Sequence, residues 1–256
     1  MKRLEGKVAI VSGASRGIGR AIALEMAKEG AQVVAVARSS EQLDGLAGEI
    51  GDGCLPLALD LRQTDAAAAT VLRALEGFGR LDILVNNAGA TQRGNWFGLG
   101  DDAWEDGFAL KFFGAMRLCR NAWPQLASNH GCIINIAGIG GRAGSADFTI
   151  GGSVNAAVMH LTKSLADLGV QDGVRVNAIN PGSIGTDRLR ARIGAYANAN
   201  QLSMEEAAAA MAAKAGIARF GEALEIARVA CILASSEANY LNGAILDVDG
   251  GANRAL

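Results

Sequence analysis

The chain has 256 residues, half of them hydrophobic and 20% charged, with a formal net charge of -2. That length and apolar content suit one large core, while the absence of any basic block excludes a nucleic-acid binder relying on clustered Lys and Arg. No apolar run approaches the roughly 20 residues needed to cross a bilayer, so no membrane association is expected.

In chain order, apolar β-branched runs alternate with helix-length segments. A strand is predicted over residues 7–12, a helix over 20–29 and a second strand over 32–37. A strand follows at 54–59, a helix at 64–75, a strand at 81–86 and a long helix at 102–126. The remainder reads as strand 131–136, helix 154–168, strand 175–179, helix 223–233 and strand 244–248. Near-continuous apolar strands separated by helices predict a parallel sheet covered on both faces. The expected fold class is α/β: a single Rossmann-type doubly wound domain spanning residues 1–256. Residues 183–221 interrupt the rhythm with helical fragments just after Pro181-Gly182, and a mobile helical substrate flap is predicted there.

Cys54, Cys119, Cys132 and Cys231 are scattered without metal-ligand spacing. They predict reduced, buried thiols and no metal site. With no signal-peptide pattern at the start of the sequence, a cytoplasmic protein is expected.

Gly13-Ala14-Ser15-Arg16-Gly17-Ile18-Gly19 directly follows the first strand and opens a helix. Glycines in that place let the backbone turn tightly and approach a pyrophosphate, whose charge the helix N-terminus favours. Further segments follow in order: Asp60-Leu61, Asn86-Asn87-Ala88-Gly89, Pro181-Gly182 with Ile184 and Thr186, and Asn242-Gly243 through Asp249-Gly250-Gly251. Together they resemble the short-chain dehydrogenase/reductase family over essentially the whole chain. The resemblance implies a dinucleotide held by Gly13, Ser15, Arg16, Gly17, Ile18 and Gly19, with Asp60 and Leu61 at the adenine. It further places Asn87, Ala88 and Gly89 along the cofactor, and Pro181, Gly182, Ile184 and Thr186 at the nicotinamide. At the end of the second strand, where an NAD-preferring fold carries Asp or Glu, the sequence has Ala37 followed by Arg38. Arg16 and Arg38 therefore favour NADP(H) over NAD(H), because guanidinium matches phosphate with paired donors.

Most members of that family use a Ser, a Tyr, a Lys four residues after the Tyr, and an Asn. Registered on His160 to Ala166, the Tyr place holds Gly151 and the Lys place Asn155. The Ser place holds Gly138, and the Asn place holds Lys111. The only tyrosines, Tyr196 and Tyr240, lie after the strand leading to Pro181, and neither is followed by Lys at the fourth position. Lys and Asn have thus traded places, which makes Lys111 the leading replacement proton donor, with Asn155 beside it. Glycines at 138 and 151 are expected to empty space for a larger substrate.

The function expected is an NADP(H)-dependent oxidoreductase acting on a small-molecule carbonyl, imine or activated alkene; the alternative is an inactive NADP(H)-binding pseudoenzyme serving as sensor or partner subunit. Ser145, Asp147 and Thr149 border the substrate region and read first as loop polarity. His160 reads as structural and His130 as a turn residue. Trp96, Trp104 and Trp123 are too dispersed in sequence for an aromatic platform. The family's habit and the apolar stretch around Phe112-Phe113 imply a homo-oligomer, tetramer or dimer.

Overall fold

Every strand of the computed structural model, which describes residues 2–254, joins one parallel sheet. The strands are β1 (Val8–Ser12), β2 (Gln32–Ala37), β3 (Cys54–Ala58), β4 (Ile83–Asn86), β5 (Cys132–Ile136), β6 (Arg175–Pro181) and β7 (Ile245–Val248). Their spatial order is β3-β2-β1-β4-β5-β6-β7. The order reverses between β1 and β4, and the crevice beyond the carboxyl ends of these two strands is where such sheets bind ligands.

The helices are α1 (Gly17–Lys28), α2 (Ser40–Ile50), α3 (Ala66–Phe78), α4 (Asp101–Phe108), α5 (Ala115–Ser128), α6 (Thr149–Asp172), α7 (Asp187–Asn200), α8 (Met204–Lys214) and α9 (Ala223–Ala234). Successive side chains of a strand point to opposite faces, so each apolar strand feeds two cores. Ala9 and Val11 pack with Ile22, Met26, Leu43 and Cys231, under α1, α2 and α9. Val8 and Ile10 pack with Val71, Leu118, Leu126 and Ala166, under α3, α5 and α6. Each fully buried Leu, Ile or Val contributes about 1.5–3 kcal/mol, which makes this two-faced burial the main stabilising term.

Three expectations need correction. Residues 40–50 form α2, an element the sequence reading omitted; it buries only Leu43 and Leu46, and Ser39 caps its N-terminus by accepting from Gln42 N at 3.4 Å. The helix predicted over 102–126 is interrupted by a π-helical turn at Ala109–Gly114. It also starts one residue earlier and ends two later. α6 begins at Thr149, not near 154, so Gly151 and Gly152 lie in its first turn.

The segment 183–221 contains α7 and α8 with a small core of their own, Leu189, Ile193, Ala197 and Ala207. Its two ends are stapled together by Gly185 N to Gly221 O at 2.8 Å and Gly221 N to Ser183 O at 3.0 Å. All four cysteines are buried and free. Among the described residues no helix is long and apolar enough to cross a membrane.

Candidate active site

The glycine loop turns where β1 ends. Gly13 and Gly17 have φ of +68° and +59°, a region that disfavours a side chain. A Cβ on Gly13 would lie 2.8 Å from Asn87 Nδ2 and 2.9 Å from the Ala88 Cα, and Gly19 closes directly on the Gly13 carbonyl. Ser12 organises the neighbouring turn: its Oγ donates to Val85 O at 3.1 Å and accepts from Asn87 N (2.9 Å) and Ala88 N (3.1 Å). Asn87 Nδ2 in turn donates to the Ser12 and Gly13 carbonyls at 3.0 and 3.2 Å. No side chain caps α1, so its first N–H groups are left for an anion, and the side-chain-free loop in front fits a pyrophosphate.

The rim of this loop is cationic. Arg16 and Arg38 are exposed, and neither guanidinium makes a hydrogen bond or ion pair among the described residues. Asp60 accepts from Arg62 N at 3.0 Å and Arg62 Nη1 at 3.3 Å, while Arg62 also forks onto Asp106. Leu61 is buried, Ile18 packs against the core and Ser15 is partly exposed.

The segment after β6 faces the loop. Gly182 N donates to Val248 O at 3.0 Å, and a Cβ there would meet the Asp249 Cα at 2.7 Å, which is why the Pro181-Gly182 step carries no side chain at its second residue. Ile184 is buried and bridged to Gly221. Thr186 precedes α7, with its Cγ2 placed 3.3 Å from where a Gly17 Cβ would stand. Residues 169 positions apart thus form the two lips of one cleft.

Lys111 sits on the π-helical turn, a distortion frequent at functional sites. Its Nζ donates to Asn155 Oδ1 at 2.5 Å and to Ala137 O at 2.6 Å. Its alkyl chain runs along Gly89, where a Cβ would come within 2.8 Å of Cδ. Burial of the ammonium, with Arg188 adding like charge, pulls its pKa down to about 7. Beneath it a buried chain joins the elements: Asn86 Nδ2 to Asn135 Oδ1 (2.9 Å), Asn135 Nδ2 to Thr162 Oγ1 (2.9 Å), Thr162 Oγ1 to Val158 O (2.8 Å). β4, β5 and α6 are thereby locked in register, which places Asn155 opposite Lys111.

The space expected beside Gly151 is filled. The Phe148 ring packs there, so that a Cβ at 151 would clash with it, and the other edge of the ring lies 2.8 Å from the Cβ position of Gly140. Gly138, at φ +143°, keeps its N–H on Asn180 Oδ1 at 3.2 Å, and a Cβ there would press on Asn155 Nδ2 at 2.9 Å. These glycines accommodate neighbouring side chains, which corrects the reading of them as emptied volume. Trp96 and Trp104 meet edge to face with centroids 5.7 Å apart, while Trp123 packs on the core under α3, α5 and α6 and donates to Asp172 at 2.6 Å. Among the described residues no three His, Cys, Asp or Glu side chains gather as a metal site requires.

A family model described as Enoyl-(Acyl carrier protein) reductase matches residues 13–253. The chain belongs to the short-chain dehydrogenase/reductase family. An uncharacterised oxidoreductase of Mycobacterium tuberculosis (strain CDC 1551 / Oshkosh) is 37% identical over 98% of this chain and 94% of its own. The 3-oxoacyl-(acyl-carrier-protein) reductase FabG of Vibrio cholerae is 34% identical over 97% of this chain and 98% of its own. The crystal structure of L-sorbose reductase from Gluconobacter frateurii, complexed with NADPH and L-sorbose, superposes with a TM-score of 0.95. It is 33% identical and covers all of both chains.

In this short-chain dehydrogenase/reductase Arg188 and Arg93 escaped the sequence reading, and Arg93 meets the segment 145–149 that the reading had set beside the substrate. Arg188 donates to Gly89 O at 3.1 Å, next to Lys111. Arg93 lies over the Phe148 ring at 3.8 Å and donates to Asp147 Oδ2 at 3.0 Å. Ser145 hydrogen-bonds the other Asp147 oxygen. The Thr149 hydroxyl is enclosed without a partner. One signal was available: Arg188 and Arg192 recur at a spacing of four directly after Thr186, on one helix face.

Proposed function

We propose that this protein is an NADP(H)-dependent oxidoreductase that reduces a small-molecule carbonyl, imine or activated alkene, with Lys111 delivering the proton. The observation that carries the reading is the Lys111 ammonium, held on Asn155 Oδ1 and Ala137 O with its pKa drawn down to about 7. A proton donor works best when its pKa lies near the operating pH. Two of its N–H groups are held by the protein, and the third is left for a substrate oxygen or nitrogen. With Gly138, Gly151 and Asn155 at the places of the family's Ser, Tyr and Lys, no other side chain there offers a proton in that range. Bound NADPH would supply the hydride. The chain's own residues would hold it: the side-chain-free Gly13–Gly19 loop and the uncapped start of α1 would receive the pyrophosphate, Asp60 and Leu61 would border the adenine, and Asn87, Ala88, Gly89, Pro181, Gly182, Ile184 and Thr186 would line the nicotinamide side. Ala37, Arg16 and Arg38 suit a 2′-phosphate, and the NADPH complex of the L-sorbose reductase supports that choice. An imine fits most easily, since its protonated form asks least of the acid.

The Phe148 ring against Gly151 favours a second reading, a cofactor-binding pseudoenzyme acting as sensor or partner subunit. The two are separated by NADPH consumption over panels of ketones, imines and enones. Turnover with at least one class supports the oxidoreductase, and tight NADPH binding with no turnover anywhere contradicts it. Exposed Phe113 beside Arg117 fits a homo-oligomeric dimer or tetramer, and the four free thiols fit a reducing cytoplasmic setting.

A further inference from the structure

The mouth of the cleft concentrates positive charge in a chain whose formal net charge is -2. Arg93 extends from the segment after β4, and Arg188 and Arg192 project from α7, one turn apart. Asp147 lies among them, ion-paired with Arg93 through one oxygen and hydrogen-bonded by Ser145 through the other. The Arg192 guanidinium makes no hydrogen bond or ion pair among the described residues. Both α7 guanidiniums reach solvent, yet surrounding protein lowers their pKa. For Arg188 the causes are burial, then Arg16 and Arg93; for Arg192 they are burial and Arg93, partly offset by Asp147. Guanidiniums crowded in this way repel one another, a cost that a bound anion would offset.

Arg93 is the member whose charge acts on both α7 guanidiniums. Arg188 leans toward the cofactor cleft, bonded to Gly89 O and near Arg16. Arg93 stacks on Phe148, and that ring and Asn155 Nδ2 lie 2.8 and 3.8 Å from the Cβ position of Gly140. Arg192, one turn beyond Arg188 on α7, feels the charges of Arg93 and Asp147. Stacking on Phe148 fixes the plane of the Arg93 guanidinium and leaves its edge for planar, two-point recognition. The Asp147 carboxylate already sits on that edge, at 3.0 Å, which shows the chemistry the edge accepts.

We propose that the substrate of this site carries a carboxylate, bound between Arg93 and Arg192, while its reducible group lies at Lys111. The proposal rests on the reading of the cleft as a reductase site. It assigns Arg93 and Arg192 as specificity determinants and Asp147 as the group that a substrate carboxylate displaces.

The test uses the full chain saturated with NADP+, which binds but cannot reduce. A series of oxo acids from 2-oxo to 5-oxo and their methyl esters is titrated calorimetrically. At least one acid is expected to bind at least about tenfold more tightly than its ester, an energy of about 1.4 kcal/mol that one charge-assisted hydrogen bond supplies. Arg93→Gln and Arg192→Gln should each erase most of that preference, whereas Arg190→Gln, which pairs with Asp187, should not. Asp147→Asn should tighten acid binding by freeing Arg93, so the proposal does not depend on the arginine variants folding. Equal binding of every acid and its ester, or a preference that survives both arginine variants, overturns the proposal. Failure of the reductase reading looks different: arginine-dependent acid binding would persist while no oxo acid is turned over with NADPH. Turnover of neutral carbonyls with no acid preference would leave that reading standing and remove this one.

Discussion

Placing a lysine where Lys111 lies costs the folded chain something that can be measured. Its pKa, about 7 in the fold, is near 10.4 when the chain is unfolded. Below about pH 7 both states carry the proton and the penalty is fully present. Between about 7 and 10 the unfolded chain binds a proton that the fold does not, so stability rises with pH. The melting temperature of the natural chain relative to Lys111→Met should therefore climb from pH 7 to pH 10; a difference independent of pH contradicts the assignment. Arg38 supplies a second prediction. Arg38→Ala should weaken NADPH by roughly tenfold or more and leave NADH nearly unchanged, because the lost partner is a phosphate. Equal loss for both cofactors would place Arg38 elsewhere. The register of the family resemblance, set on His160 to Ala166, brought out Lys111 and Asn155. Phe148 was not legible, because a ring that packs into a glycine's place does so only through tertiary contact.

At the scale of elements, the strands were read closely and the helices less so. The strands are apolar almost throughout, and that pattern is local. α2 buries only two residues, so its periodicity is faint; Ser39 as N-cap was the available clue. The π-helical turn was invisible because Gly107 and Gly114 mark close approaches to Ile150 and to the Leu61 carbonyl, partners distant in sequence. Between elements, Asn135 is the link that holds β4, β5 and α6 together. Asn135→Ala leaves the Asn86 amide and the Thr162 hydroxyl short of a buried partner and should cost about 1–3 kcal/mol in urea unfolding. A loss below about 0.5 kcal/mol would mean that this chain contributes little.

Across the whole molecule, alternating elements predicted the parallel sheet and its two covered faces, and the sheet's order puts the glycine loop and Thr186 on one cleft. The arginine rim was harder to see, since Arg93 and Arg192 come from segments far apart in the chain and only the fold brings their charges within range of each other. The proposed function joins a cofactor cleft of the family's type to a proton supplied by Lys111. Single-turnover reduction by Lys111→Met loaded with NADPH tests that claim most directly, with cofactor affinity measured on the same sample. The account predicts a rate at least about a hundredfold lower, the usual contribution of a positioned acid, with NADPH affinity within a few-fold of the natural chain. An unchanged rate in the loaded variant would contradict it.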